Sequence, residues 1–134
     1  MTIMTSDGEQ FVSIGSCSVW NSLYSTLAYR IDSFPEKYPA ADAFFSTCIC
    51  EPDNALNTAN EIEALKIVLS TMTPDKAIYD VRHPETPPPW RNSINKSIVS
   101  CDKLYTTEDG QDLLTQLARL LQYAGQNQLT VTLP

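Results

Sequence analysis

Apolar residues recur at helical spacing in three stretches of this chain and predict three main helices. The first stretch runs from Val19 to Ile31, the second follows the turn Glu51–Asn54, and the third follows Thr106–Gly110. The positions predicted to face a core are Trp20, Leu23, Tyr24, Leu27 and Ile31 in the first, Leu56, Ala59, Ile62, Leu65, Leu69 and Met72 in the second, and Leu113, Leu117, Leu120, Leu121 and Ala124 in the third. Asn21, Ser25 and Arg30 are predicted to face water, Thr73-Pro74 to end the second helix and Gly125 to end the third.

Shorter patterns predict the elements between these helices. Pro35 and Pro39 prevent one long helix, although Pro39 suits the first turn of a new one that covers Ala40–Phe45. The segments predicted as strands are Glu9–Ile14, Ala77–Val81, Leu129–Leu133 and a further one within Ile98–Tyr105, while Cys48–Cys50 fits either a strand or the end of a helix. This order predicts one domain over residues 1–134, with an α+β (or α/β) fold in which a small sheet packs against three main helices.

Composition and charge narrow the function classes. The chain of 134 residues is long enough for one domain with its own core, and 43% of it is hydrophobic. Sixteen Asp and Glu against nine Lys and Arg give a net charge of -7. Because direct nucleic-acid binding needs a basic surface, this balance argues against it and favours a basic partner, with solubility as the alternative reason for the charge.

The absence of targeting patterns predicts a cytoplasmic protein. The opening MTIMTSDGEQ lacks the basic and apolar regions of a signal peptide, and no stretch approaches the ~18 apolar residues of a membrane helix. In a reducing compartment Cys17, Cys48, Cys50 and Cys101 are expected to be free thiols that pack as small apolar side chains.

No catalytic, metal-binding or cofactor-binding spacing stands out, so the sequence predicts a binding protein. His83 is the single histidine, and as a general base it would need Cys101 or a serine brought close by the fold. The two nearest cysteines are separated by one residue, unlike the C-x2-4-C pairs of zinc sites. Glu61 and Glu63 point to different faces of a helix, which argues against paired acid and base chemistry.

Two acidic groups and one tryptophan are the candidates for partner contact. Thr106–Gly110 is predicted to begin the last helix, with acidic residues that complement the positive end of its dipole. The proline-rich segment His83–Trp90 is predicted to be stiff and extended. It presents Trp90 as a partner anchor or, the favoured alternative, as a plug for the protein's own core. The predicted contact residues are Glu51, Asp53, Glu61, Glu63, Glu108, Asp109, Asp112 and Trp90.

Four sequence blocks occur in an order and spacing that resemble the bacterial immunity protein 70 family. They are Phe34–Pro39, Thr73–Asp80, Pro88–Trp90 and Tyr105–Leu114. The resemblance implies a cytoplasmic antitoxin of a polymorphic toxin or contact-dependent inhibition system, which binds the C-terminal toxin domain of a large secreted effector and blocks it by occlusion. Such toxins are commonly nucleases, and the resemblance implies no catalytic residues. Tyr79 departs from the pattern, in which tryptophan precedes the aspartate in many relatives.

Three hypotheses about function follow, in order of preference. The first is an immunity protein that forms a stoichiometric complex with a basic toxin domain. The second is a non-catalytic adaptor or chaperone-like protein that uses Trp90 and has several partners. The third is a small enzyme that depends on His83. The sequence makes no prediction of the oligomeric state.

Overall fold

Five helices and a three-stranded antiparallel sheet make up the α+β fold of residues 1–133, the part of the chain that the computed structural model describes. The elements in chain order are β1 (Thr2–Thr5), β2 (Phe11–Ser13), α1 (Cys17–Arg30), α2 (Phe34–Lys37), α3 (Pro39–Thr47), α4 (Pro52–Ser70), α5 (Leu113–Gln126) and β3 (Val131–Thr132). Two short 3-10 turns, Pro74–Lys76 and Cys101–Lys103, lie in the long connection between α4 and α5. The predicted fold class is confirmed.

Prolines mark the starts of the two middle helices, as predicted for Pro39 but not for Pro52, since Pro52–Asn54 of the predicted turn Glu51–Asn54 already belong to α4. Pro39 opens α3 and Pro52 opens α4, because each occupies a first turn where a missing N–H costs no hydrogen bond. The predicted helix over Ala40–Phe45 is confirmed and is slightly longer at both ends. The segment before it, Phe34–Lys37, forms one helical turn that no pattern predicts.

The core forms where α4 and α5 pack along each other. All five residues predicted for the apolar face of α5 are buried, as are Ala59, Ile62, Leu65 and Leu69 of α4. The prediction for Leu56 is wrong, because this side chain is 48% exposed at the rim of the helix pair.

Gly125 allows α4 and α5 to approach closely at this rim. A Cβ on Gly125 would lie 2.6 Å from Leu56 Cγ, which is closer than carbon atoms pack. The prediction that Gly125 ends α5 is wrong, since the helix continues to Gln126. Glycine is needed here because a side chain would collide with Leu56, and not because the helix ends in a left-handed turn.

We expect Gly125→Ala to lower the free energy of unfolding by about 1 kcal/mol, although alanine has the higher helix propensity. The added Cβ would also lie 3.2 Å from the Leu56 backbone N, so the two helices must shift apart. Urea unfolding measures the change. In a Leu56→Ala background the side-chain clash is absent and only the backbone contact remains, so the same substitution is expected to cost clearly less. An equal loss in both backgrounds would contradict this contact.

The sheet has the order β2-β1-β3, with the first strand of the chain at its centre. Ile3 of β1 lies opposite Val12 of β2, and Thr5 of β1 lies opposite Val131 of β3. The predicted strands near both termini are confirmed in shorter form. No pattern predicts β1, whose four residues are too few to show a clear alternation.

Cys48–Cys50 combines the two alternatives left open for it. Cys48 ends α3 in the left-handed conformation, with φ 60. Cys50 then pairs with Val131 through two backbone hydrogen bonds of 2.8 and 2.9 Å. This bridge closes the outer edge of β3.

The two strands predicted between α4 and α5 are wrong. Neither Ala77–Val81 nor Ile98–Tyr105 forms a strand. The backbone of Ile78 finds its partners on α1, where its N–H donates to Thr26 Oγ1 at 2.8 Å and its C=O accepts from Ser22 Oγ at 2.7 Å. Because side-chain hydroxyls replace a neighbouring strand, the β propensity of the segment does not decide its structure.

The polar face of α1 is the surface on which this connection rests. Ser25 is buried and its Oγ accepts from the Val81 N–H at 3.0 Å, so the prediction that it faces water is wrong. Asn21 and Arg30 are exposed as predicted, yet both donate to carbonyl oxygens of the same connection. One face of α1 therefore packs in the apolar core, and its polar face forms hydrogen bonds to the connection.

Tyr105 completes the hydroxyl network inside the protein. Its OH lies 2.9 Å from Ser22 Oγ and 2.8 Å from Thr26 Oγ1, and the ring is buried. Burial raises the pKa of Tyr105 well above its ordinary value, although the two hydroxyl groups act in the opposite direction. The phenol therefore stays neutral and shares protons with both side chains.

We expect Thr26→Val to lower the free energy of unfolding by about 2 kcal/mol, because the Ile78 N–H and the Tyr105 OH each lose a buried partner while the side-chain volume is kept. Thr47→Val is the matched control. Its hydroxyl also donates to a carbonyl oxygen one helical turn earlier, but on the exposed surface, and we expect a change within about 0.5 kcal/mol. Urea unfolding distinguishes the two. Equal values for both variants would show that the network contributes nothing.

Candidate partner-binding surface

Charge is distributed unevenly between residues 74–103, which lie within the connection between α4 and α5, and the rest of the protein. Residues 74–103 carry five of the nine Lys and Arg but only four of the sixteen Asp and Glu. The remainder therefore carries twelve acidic against four basic residues. The acidic residues of this remainder lie on or beside the helices, in the turn between β1 and β2, and in the turn before α5.

The first predicted acidic group, on and before α4, divides into exposed and internally bonded members. Asp53 and Glu63 are exposed on α4, and no ion pair among residues 1–133 engages them. Glu51 is also exposed at the start of the helix, where its carboxylate accepts from Thr130 Oγ1 at 3.3 Å. These three carboxylates are available to a partner.

Glu61 serves the fold instead. Its Oε1 accepts from the Ala41 N–H at 3.0 Å, and its Oε2 accepts from Asn57 Nδ2 at 3.4 Å. The Ala41 N–H belongs to the first turn of α3, where amides lack partners within the helix. Glu61 therefore caps a neighbouring helix, and its carboxylate is half-buried.

The second predicted acidic group surrounds the start of α5, which begins later than predicted. Thr106 and Asp112 form an isolated antiparallel bridge, so the residues between them make a turn. The helix starts at Leu113, and Asp112 is its N-cap residue, whose carboxylate accepts from the Thr115 N–H at 3.5 Å. The predicted start over Thr106–Gly110 is wrong because this bridge uses the backbone of the turn.

Two lysines neutralise Asp112. Its Oδ2 lies 3.1 Å from Lys103 Nζ and 3.4 Å from Lys66 Nζ. Burial acts to raise the pKa of Asp112, but the hydrogen bond from Lys103 and the charge of Lys66 outweigh it, and the pKa lies below its ordinary value. Asp112 thus joins α4, the second 3-10 turn and α5, and offers little free charge to a partner.

We expect Asp112→Asn to lower the free energy of unfolding at pH 7 by about 0.5–1 kcal/mol, because asparagine keeps the cap but loses the charge. The pKa of Asp112 is lower in the folded protein than the ordinary value of 3.8. The stabilisation is therefore fully present above pH 3.8 and is lost as the pH falls through the lowered pKa.

Urea unfolding of both proteins, followed from neutral to acidic pH, checks this expectation. The exposed Glu63→Gln removes one charge without an ion pair, and we expect it to have little effect at any pH. A difference between Asp112→Asn and the wild-type protein that stays constant down to acidic pH would contradict the role of the ionised carboxylate.

Glu108 and Asp109 lie beside β2 and are the exposed members of the second group. The Glu108 N–H donates to Ser13 O at 2.9 Å, and Asp109 accepts a short hydrogen bond from Thr107. Together with Phe11 they line a hollow of about 300 Å³ that no Lys or Arg enters. Phe11 is 62% exposed beside these carboxylates.

The turn between β1 and β2 adds two acidic residues that the sequence did not single out. Asp7 accepts from Thr5 Oγ1 at 2.6 Å and from the Glu9 N–H at 3.0 Å. The hydrogen bond from Thr5, followed by that from Glu9, lowers the pKa of Asp7, so the turn stays charged. The signal in the sequence that could have located this turn is the order Asp7-Gly8-Glu9 before an apolar run.

Trp90 lies half-buried outside the main core. Its ring packs edge-on against Tyr79, with centroids 5.5 Å apart, and it lines a mainly apolar hollow of about 310 Å³. The prediction of a stiff extended arm is wrong, because backbone hydrogen bonds such as Thr86 N–H to His83 O and Ser93 N–H to Trp90 O close successive turns. Contact between Trp90 and a partner stays a prediction.

The residues considered for catalysis or metal binding do not form a site. His83 is exposed. Burial, followed by the charge of Asp102, raises the pKa of Cys101 to about 12, so this thiol is not a ready nucleophile. The four cysteines are free, and the described residues contain no group of three His, Cys, Asp or Glu arranged to hold a metal ion.

Comparison with known proteins identifies the class. The model of one protein family, described as immunity protein 70, matches residues 4–133. A match over nearly the whole chain makes it an immunity protein, which acts against a toxin. The chain belongs to the immunity protein 70 family, and the predicted resemblance is confirmed. No curated protein and no solved structure matches it.

Among residues 1–133, no helix combines the length and the apolar character needed to cross a lipid bilayer.

Proposed function

We propose that this immunity protein binds the C-terminal toxin domain of a contact-dependent inhibition or polymorphic toxin system and blocks it by steric and electrostatic occlusion. The toxin domain is basic and acts as a nuclease in the cytoplasm of the cell that makes the immunity protein. Membership of the immunity protein 70 family supports a toxin as the partner. The distribution of charge supports a basic one.

The observation that carries the basic partner is the excess of twelve acidic over four basic residues outside residues 74–103. A nuclease holds its substrate in a groove lined with Lys and Arg, because phosphate binding depends on positive charge. A protein that covers such a groove gains association rate and orientation from carboxylates of the opposite sign. It needs no catalytic group of its own.

The acidic residues that support this role are those that are exposed to solvent. Asp53, Glu63 and Glu51 meet this condition around α4, and Glu108 and Asp109 meet it beside β2. Glu61 and Asp112 are committed to helix ends, so we propose that they contribute mainly through stability.

We expect the purified protein to bind the toxin domain encoded immediately upstream of it and to inhibit that domain at a ratio of one to one. Titration of nuclease activity against immunity protein gives the ratio, and stopped-flow measurement gives the association rate. Because exposed charges are screened by salt, the rate is expected to fall about tenfold or more between low and physiological ionic strength.

The control is an unrelated protein without net charge, which is titrated in place of the immunity protein and should not inhibit the toxin domain. Absence of binding to the neighbouring toxin domain would overturn the proposed function. A tight complex whose association rate does not respond to salt would overturn the electrostatic part and leave the toxin partner intact.

A further inference from the structure

The two outer edges of the sheet differ in how they are covered. The edge of β3 is closed, because Cys50 and Val131 exchange two backbone hydrogen bonds. On the edge of β2, Ser13 O is the one outward backbone group with a partner among residues 1–133, the Glu108 N–H at 2.9 Å. An uncovered strand edge is a template on which another extended chain can pair.

The register shows which backbone groups face outward from β2. The Ile14 N–H donates to Met1 O at 2.7 Å and the Thr5 N–H donates to Gln10 O at 2.9 Å. In an antiparallel pair, bonded and non-bonded positions alternate, so Val12 bonds to β1 while Phe11 and Ser13 turn their backbone groups away. Nothing in residues 1–133 covers the Phe11 N–H and C=O.

The side chains around this edge have a consistent character. Phe11 exposes 62% of its surface. Asp7 and Glu9 precede it in the turn, and Glu108 and Asp109 lie beyond it next to Ser13. An exposed aromatic ring with carboxylates on both sides matches the arrangement of a binding anchor surrounded by a charged rim.

We propose that the edge of β2 receives an extended, basic segment of the toxin domain, which adds a fourth strand to the sheet and packs an apolar side chain against Phe11. This inference rests on the proposed function and names the surface that performs it. Lys and Arg on either side of the segment meet the carboxylates at the two ends of β2. A second copy of the same chain fits poorly, because its own carboxylates would face those of the first.

The first test compares two exposed apolar side chains. Phe11→Thr removes the ring and keeps a residue that favours strands, while Ile67→Ala removes a side chain that is 69% exposed on α4. Calorimetric titration of each variant uses the toxin domain encoded upstream, with its nuclease activity abolished by substitution. We expect Phe11→Thr to raise Kd by at least about tenfold and Ile67→Ala to leave it unchanged.

The charges are tested by stopped-flow measurement of the association rate at several salt concentrations. Glu108→Gln with Asp109→Asn removes two charges at the β2 edge, and Asp53→Asn with Glu63→Gln removes two from α4. We expect the first pair to slow association and weaken its salt dependence more than the second pair does. A larger effect of the α4 pair would overturn the placement.

Hydrogen exchange reports on the backbone itself. On binding the toxin domain, the amide of Phe11 is expected to exchange at least about tenfold more slowly, while that of Val12 is already protected by β1. Circular dichroism and urea unfolding of the free variants check that each remains folded. Light scattering of the free wild-type protein is expected to show a monomer.

The outcomes separate this inference from the proposed function. Wild-type binding with unchanged affinity of Phe11→Thr and no new protection would overturn the β2 edge and leave the immunity role standing. A free dimer that Phe11→Thr dissociates would show that a second copy occupies the edge. Failure of the wild-type protein to bind the toxin domain would overturn both.

Discussion

The hydroxyl groups of Ser22 and Thr26 hold the long connection between α4 and α5 against α1, and the path of the chain between these two helices depends on them. Residues 71–112 contain two short 3-10 turns and the Thr106–Asp112 bridge, so secondary structure contributes little to their order. Ordering such a segment costs about 1–2 kcal/mol per residue in backbone entropy, and a buried, fully bonded contact with α1 offsets part of this cost. Tyr105 supplies that contact from the far end of the segment, because its OH reaches both hydroxyls. One turn of α1 thus joins Ile78 near the start of the connection to Tyr105 near its end.

Carboxylates in this protein differ in whether the fold engages them or leaves them in solvent. Glu61 and Asp112 each lie beside an uncapped turn, and each is drawn inward by amides or lysines. Glu108 lies only four residues before Asp112, yet its side chain remains in solvent. Composition alone treats these groups as equal, although only the exposed ones can act on a partner. The acidity of the protein is therefore partly structural and partly available.

Periodicity predicted the parts of the fold that bury an apolar face. The faces of α4 and α5 follow the 3.6-residue repeat almost throughout, and the prolines mark where α3 and α4 begin. Ala77–Val81 could not be predicted in this way, because its backbone partners are side chains more than fifty positions earlier in the chain. The same limit applies to Gly125, whose role depends on the neighbouring Leu56. For the candidate surface, the sequence identified Glu108 and Asp109 but not their proximity to Phe11, which requires the turn to fold back onto β2.

The uneven charge also has a consequence for motion in solution. Residues 74–103 are nearly neutral overall, while the rest of the chain is strongly negative. Charge placed unevenly over a molecule lets the field of an oppositely charged body exert a torque on it before contact. Rotation of this kind during approach would turn the negatively charged part forward, so that fewer collisions occur in unproductive orientations.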